Sequence, residues 1–121
     1  MFSEESIRSL IHVYFKEHRN MEKLLSLFTD DATIVVPGNP TVKGREAIKQ
    51  FYQPFFSQYP EAKLTETFVI INGEKAVSEY EGILVTPEKR EVKVAGVNIF
   101  EVEKGKIKQL RLYIDSAQFQ K

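Results

Sequence analysis

Apolar side chains at the start of the chain recur every three or four residues. Ile7, Leu10, Ile11, Tyr14, Phe15 and His18 fall on one side of a helix that Ser3 would cap, with Glu4 and Glu5 in its first turn and Phe2 placed to staple against Ile7. Arg19 and Asn20 are expected to end it. Asn20 can cap a second, shorter helix whose Met21, Leu24, Leu25, Leu27 and Phe28 are almost wholly apolar, before a break at Thr29-Asp30-Asp31. The two helices are expected to act as a lid. Ala32 to Val36 reads as a short buried strand, stopped by the turn cluster Pro37-Gly38-Asn39-Pro40. After Gly44 another one-sided stripe, Ala47, Ile48, Phe51, Tyr52, Phe55 and Phe56, predicts a helix. Pro54 should kink or end that helix near Gln53, because an interior proline removes a hydrogen bond at a cost of about 3 kcal/mol.

From Lys63 the pattern changes to extended segments: Leu64 to Ile71, Lys75 to Val85, Arg90 to Glu103 and Lys106 to Asp115. They are separated by Asn72-Gly73, Thr86-Pro87-Glu88-Lys89 and Lys104-Gly105, so four strands should follow one another as a meander. Asn72-Gly73 suits a type I′ turn, since both residues tolerate positive φ. Helices first and an antiparallel sheet afterwards predict an α+β fold, with the sheet curling around the helices. The polar tail from Ser116 to Lys121 is expected to be loosely held.

Composition narrows the function classes. A chain of 121 residues has room for one domain, 1–121, and one core. Seventeen basic and seventeen acidic side chains cancel and are interspersed, which argues against nucleic acid or an anionic membrane as partner. The absence of cysteine removes disulfides, thiolate nucleophiles and Cys-based zinc sites. MFSEESIRSL has neither the basic region nor the apolar run of a signal peptide, and no segment is long enough to span a bilayer, so a cytoplasmic location is expected. His12 and His18 lie on different faces of one helix, which argues against a metal site, and His18 suits a helix C-terminus as a simple dipole partner. The glycine turns match no nucleotide-binding pattern and no nucleophile elbow occurs, so no cofactor is implied.

Three stretches, DDATIVVP, the KGREAIKQFY beyond the turn, and the closing VNIFEVEKGKIKQLRLYID, resemble the cone-shaped superfamily of ketosteroid isomerases, SnoaL-like polyketide cyclases and nuclear transport factor 2-like proteins. The resemblance implies three N-terminal helices packed in a strongly curved, mainly antiparallel sheet, a cystatin-like α+β roll. It also implies an apolar pocket on the concave face and a homodimer through the convex face. The strand Glu91 to Glu103 supports both surfaces: Val92, Val94, Gly96, Asn98 and Phe100 alternate with an equally apolar Ala95, Val97 and Ile99. Of the three polar positions that the isomerases use, one is kept. Tyr14 in SLIHVYFKEH matches the tyrosine that donates to the substrate oxygen, whereas Val36 stands where the family has its general base and Gly96 where it has a second acid. Valine cannot abstract a proton beside a carbonyl, so a standard ketosteroid isomerase is not expected.

The remaining candidates are polar residues that could face the hollow. Tyr14 is either a hydrogen-bond donor to a ligand or a core tyrosine satisfied by a neighbour. Asn98 shares the parity of Val94 and Gly96, and its amide can donate and accept; the plain alternative is a strand-bridging amide. Glu81, or Glu79 on the same face, would be a candidate base if it pointed inward, and a solvated side chain otherwise. Asp115, closing LRLYID, matches the shape of a segment that carries a general acid/base in SnoaL-like cyclases; unless a bulge switches the register, alternation places it with Arg111 and Tyr113, away from Leu110, Leu112 and Ile114, where a salt bridge or helix-end contact is its simpler role. Two classes follow. One is a pocket for a small hydrophobic, oxygen-bearing molecule, lined by Tyr14, Val36, Phe51, Phe55, Val94, Gly96, Asn98 and Leu112, with cofactor-free isomerase, cyclase or dehydratase chemistry through Tyr14 and Glu81 or Asp115. The other is a non-catalytic binding or dimerisation module. A cavity of roughly 300 Å³ or more with converging polar groups would favour the first, and close packing by Phe51, Phe55 and Leu112 the second.

Overall fold

Ser3 caps the first helix as its sequence predicts, accepting a hydrogen bond from the Ser6 amide, and α1 runs Glu4–Lys16 with Ile7, Ile11, Tyr14 and Phe15 buried. The computed structural model describes residues 3–17 and 20–119. The roles expected of Phe2, His18 and Arg19, and the last two residues of the tail, lie outside them. Asn20 caps α2 (Met21–Ser26) through the Lys23 amide.

The expected break at Thr29-Asp30-Asp31 is instead strand. β1 spans Phe28–Val35, so Phe28 opens the sheet rather than closing the second helix. The acidic pair fits because the ladder with the last strand is irregular: between Phe28 and Thr33, five steps along β1 answer two, Ile107 to Gln109, on its partner. Such an excess bulges the strand and turns Asp30 and Asp31 to solvent. Arg45 supports the bulge, donating from its guanidinium to the Phe28 carbonyl and pairing with Asp30 at 2.9 Å. A two-residue strand, β2 (Val42–Lys43), pairs antiparallel with β1 beyond the proline turn and was not expected.

α3 runs Arg45–Gln58 without a break at Pro54, so it does not end early near Gln53. The helix can continue because Pro54 and Gln50, whose carbonyl loses its helical donor, both lie on the exposed face, where water can serve that carbonyl. Phe55, Phe56 and Tyr59 meanwhile hold the following turn against the core.

The meander follows: β3 (Glu61–Asn72), β4 (Lys75–Val85), β5 (Glu91–Glu103) and β6 (Lys106–Ile114). The six strands form one sheet in the order β2-β1-β6-β5-β4-β3, antiparallel throughout except for β1 beside β6. The first hairpin turns one residue later than expected. Asn72 is a strand residue paired with Lys75, and Gly73, at φ 64°, is the first residue of the two-residue loop. The double positive φ of a type I′ turn occurs instead at Lys104 (51°) and Gly105 (81°). Register shifts at Glu66/Phe68 and Glu101/Val102 add bends to the sheet, so that it curves around α1 and α3.

The tail is anchored rather than loose. Ser116–Phe119 forms a short 3-10 turn (η1) capped by the Asp115 carboxylate on the Ala117 amide at 2.9 Å. The Gln118 side chain grips the Ala95 backbone twice, accepting from its amide at 2.7 Å and donating to its carbonyl at 3.0 Å. That amide group completes the edge of β5 where β6 has ended.

Candidate functional site

Alternation along β4 and β5 sends Ala76, Ser78, Tyr80 and Leu84, and Val92, Val94, Asn98, Phe100 and Val102, to the concave side. There they pack into two separate groups. The larger gathers Tyr14 and Phe15 of α1, Tyr52 of α3, Tyr80 and Phe100; the smaller gathers Tyr59, Leu84, Val92 and Val94. A cavity of about 190 Å³ lies between them, walled by members of both. Phe51 and Phe55 come from α3, Leu64 from β3, Leu112 and Ile114 from β6, and Phe119 from the tail. The volume is below the roughly 300 Å³ typical of drug-sized sites. It exceeds the ~150 Å³ that holds a benzene molecule in a dry protein cavity, so the space suits one ring.

Its polar groups are few. The Tyr14 and Tyr52 hydroxyls lie 2.6 Å apart in a buried pair. Burial drives the Tyr14 phenol well above its ordinary pKa, with Tyr52 adding to the effect; burial likewise raises Tyr52, and pushes Tyr80 up to about 12. All three phenols therefore stay protonated at neutral pH and can act as donors. Asn98, 2% exposed, lines the same space, and its Oδ1 is buried without a hydrogen-bond partner. A buried orphan acceptor costs about 1–3 kcal/mol, and among the described residues Asn98 Oδ1 is the one fully buried side-chain oxygen or nitrogen left without a partner.

The structure brings together Tyr14, Phe51, Phe55, Val94, Asn98 and Leu112 of the residues singled out from the sequence. It separates the others. Val36, placed at the cavity from a strand expected to run from Ala32 to Val36, lies just past the end of β1 and packs against the main core group, outside the cavity wall. Gly96 is roofed over: a Cβ there would sit 2.8 Å from the Tyr80 hydroxyl and 3.0 Å from its ring, so the glycine faces Tyr80 rather than open space. Glu81 is on the convex side, opposite Thr65 and Ala95 in the ladder, and shares an exposed groove with Lys63 and Lys93. Glu79 points the same way, receiving the Thr67 hydroxyl at 3.1 Å. Both carboxylates have the parity opposite to Ser78 and Tyr80, which the pleat sends inward. Asp115 is exposed and caps η1, the helix-end role. Among the described residues lining the cavity there is no carboxylate.

Sequence reasoning passed over Tyr52, Tyr80 and Phe119. Tyr80 was within reach: small or apolar residues at 76, 78, 82 and 84 mark its parity as inward. Tyr52 sat on a recognised apolar face, but its pairing with Tyr14, 38 positions away, has no local signature. His12 bonds Glu66 across the surface at 2.8 Å, and among the described residues no cluster of three or more His, Cys, Asp or Glu side chains could hold a metal ion. Nor is any described helix long and apolar enough to cross a membrane.

Comparison with known proteins agrees with this architecture. Residues 8–110 match the family model of the SnoaL-like domain. No curated protein matches by sequence. Among solved structures, the epoxide hydrolase/cyclase-like enzyme SalBIII, which has a role in pyran ring formation in the polyether salinomycin, superposes with a TM-score of 0.85 at 19% identity, covering 98% of this chain and 97% of its own. A protein described as a SnoaL-like polyketide cyclase from Jannaschia sp. CCS1 gives 0.81 at 18% identity, over 95% and 90%. An LEH-like epoxide hydrolase of M. tuberculosis gives 0.79 at 15% identity, over 94% and 86%. At these identities the likeness is one of fold.

Proposed function

The chain belongs to the SnoaL-like domain family, and from that premise we propose that it binds a small hydrophobic, oxygen-bearing molecule in the gap between its two core groups. The observation that carries this reading is the company the cavity keeps: an apolar wall around one-ring space, with protonated phenols and one unsatisfied amide as its polar groups. Tyr14 would polarise or hold a ligand oxygen. Proton abstraction needs a base within about 3 Å of the carbon acid, and the glutamates and aspartate considered for that task lie on the outer surface. Binding is therefore favoured over isomerase-type turnover. A second reading, cyclase or dehydratase chemistry needing only a hydrogen-bond donor, is supported by Tyr14 alone. Thermal-shift titration with cyclohexanone and with phenol tests the first; no shift from either at millimolar concentration would count against it. If a turnover substrate is found, Tyr14→Phe should abolish most of its conversion, and unchanged rates would remove Tyr14 from the chemistry.

We also propose a homodimer through the convex face. Two neighbouring rungs there are largely apolar, Ile70-Val77-Ile99-Arg111 and Phe68-Glu79-Val97-Tyr113. Phe68, Ile70 and Tyr113 are 47%, 62% and 43% exposed. Glu79 and Arg111 lie toward opposite sides of the patch, so a two-fold axis through it could bring each beside the other's copy. A cytoplasmic protein fits this picture, and fractionation of the source cell would check it. Sedimentation at micromolar concentration should give a dimer that Ile99→Lys converts to monomer; a native monomer would contradict the interface.

A further inference from the structure

We propose that Tyr80 and Asn98 form a hydroxyl-reading pair, so that the cavity takes a single-ring alcohol or phenol whose hydroxyl accepts from the Tyr80 O–H and donates to the Asn98 carboxamide. The inference rests on the ligand-binding reading above and narrows it to one functional group.

Three observations carry it. The first is that both side chains are left without protein partners. Asn98 Oδ1 is buried and unbonded, and the Tyr80 hydroxyl, which unlike that oxygen keeps accessible surface, makes no hydrogen bond to the described residues. One buried oxygen without a partner and one unbonded hydroxyl, both on side chains lining the same 190 Å³ space, are met together by a single guest.

The second is their placement. Tyr80 pairs with Gly96 across the β4–β5 ladder and Ser78 with Asn98, so the tyrosine and the asparagine stand on adjacent inward rungs. Gly96 lets the Tyr80 ring lie across β5: any side chain there would collide with the hydroxyl and Cε1. The hydroxyl thus rests over position 96, and Asn98 is two residues along the same face, about 7 Å by strand rise. One bridging oxygen suits that order of spacing.

The third is chemical. A ketone or ether accepts but does not donate, and would leave the Asn98 oxygen orphaned in the bound state. A hydroxyl does both, and complements the carboxamide whichever way its oxygen and nitrogen are assigned. Sites that present buried polar groups to a substrate hydroxyl reject analogues lacking it, because those groups are then stranded.

The test uses matched probes on the intact protein by calorimetry and by the side-chain amide resonances of Asn98: phenol against toluene, and cyclohexanol against cyclohexanone. Phenol should bind at least tenfold more tightly than toluene, the effect of one or two net hydrogen bonds, and should shift the Asn98 amide signals. Tyr80→Phe and Asn98→Leu should each erase most of that preference while leaving toluene binding intact, a readout that loss of folding could not mimic. Equal binding of phenol and toluene, or a preference that survives both substitutions, overturns the hydroxyl pair and leaves the apolar pocket standing. Failure of all four probes to bind overturns both.

Discussion

Replacing Gly82 with alanine should destabilise the protein, contrary to the usual effect of removing glycine from a strand. Gly82 lies in β4 between Leu64 of β3 and Val94 of β5. A methyl group built on it would collide with Leu64 Cδ2 and with the Lys63 carbonyl oxygen, and would stand 3.0 Å from Leu64 Cα. Leucine could rotate its tip toward the cavity it already lines, but the carbonyl belongs to the β3 backbone and cannot yield without parting two strands. Overpacking of this kind costs about 1–3 kcal/mol, against the roughly 0.5–1 kcal/mol that alanine gains over glycine in a strand interior. A net loss of about 1–2 kcal/mol should lower the melting temperature by roughly 4–8 °C in a chain of this size. Urea denaturation followed by far-UV circular dichroism would read the free energy, and calorimetry the temperature. A variant as stable as the parent, or more so, would refute the close approach of β3 to β4 at this rung.

The raised phenol pKa values fix the direction of the alkaline response. A tyrosine that holds its proton more tightly when folded stabilises the protein fully below pH 10 and loses that contribution as pH climbs toward the folded value, near 12 for Tyr80. Each such group should steepen the fall in stability by up to about 1.4 kcal/mol per pH unit above pH 10, and Tyr80→Phe should flatten it in urea titrations at pH 9 to 11.5. Asn98→Leu, besides impairing recognition, should raise unliganded stability by about 1–2 kcal/mol because it removes an orphaned acceptor, and a drop of that size in the midpoint would refute the orphan. Gln118→Ala should speed hydrogen exchange at the Ala95 amide, which loses its acceptor, while β4 amides keep their protection.

The helices and the meander could be read from local pattern because their signals are local: Ser3 and Asn20 cap where they stand, and Gly105 takes at no steric cost the left-handed backbone that its turn needs. Errors fell where a distant partner decides. Asp30 and Asp31 look like a break until Arg45 and the bulge against β6 absorb them. Pro54 looks like a helix end until its exposed side is known. For the site, parity sorted β5 correctly and could have sorted β4, where it sends Glu79 and Glu81 outward with no ambiguity. The Tyr14–Tyr52 pair, the ring of Tyr80 over Gly96 and the return of Phe119 to the wall depend on chain segments meeting in three dimensions, and no spacing in the sequence encodes them.

The division of the interior into two groups has a mechanical consequence. Both groups draw on β4 and β5, and Leu112 packs against the larger while Phe119 packs against the smaller, so exchanging either of these re-edges the space and also loosens the block behind it; Ile114 lines the space and belongs to neither group. Selectivity and cohesion are thus shared by most of the wall and come apart at Ile114, where the fit can be retuned while the framework around it stays upright.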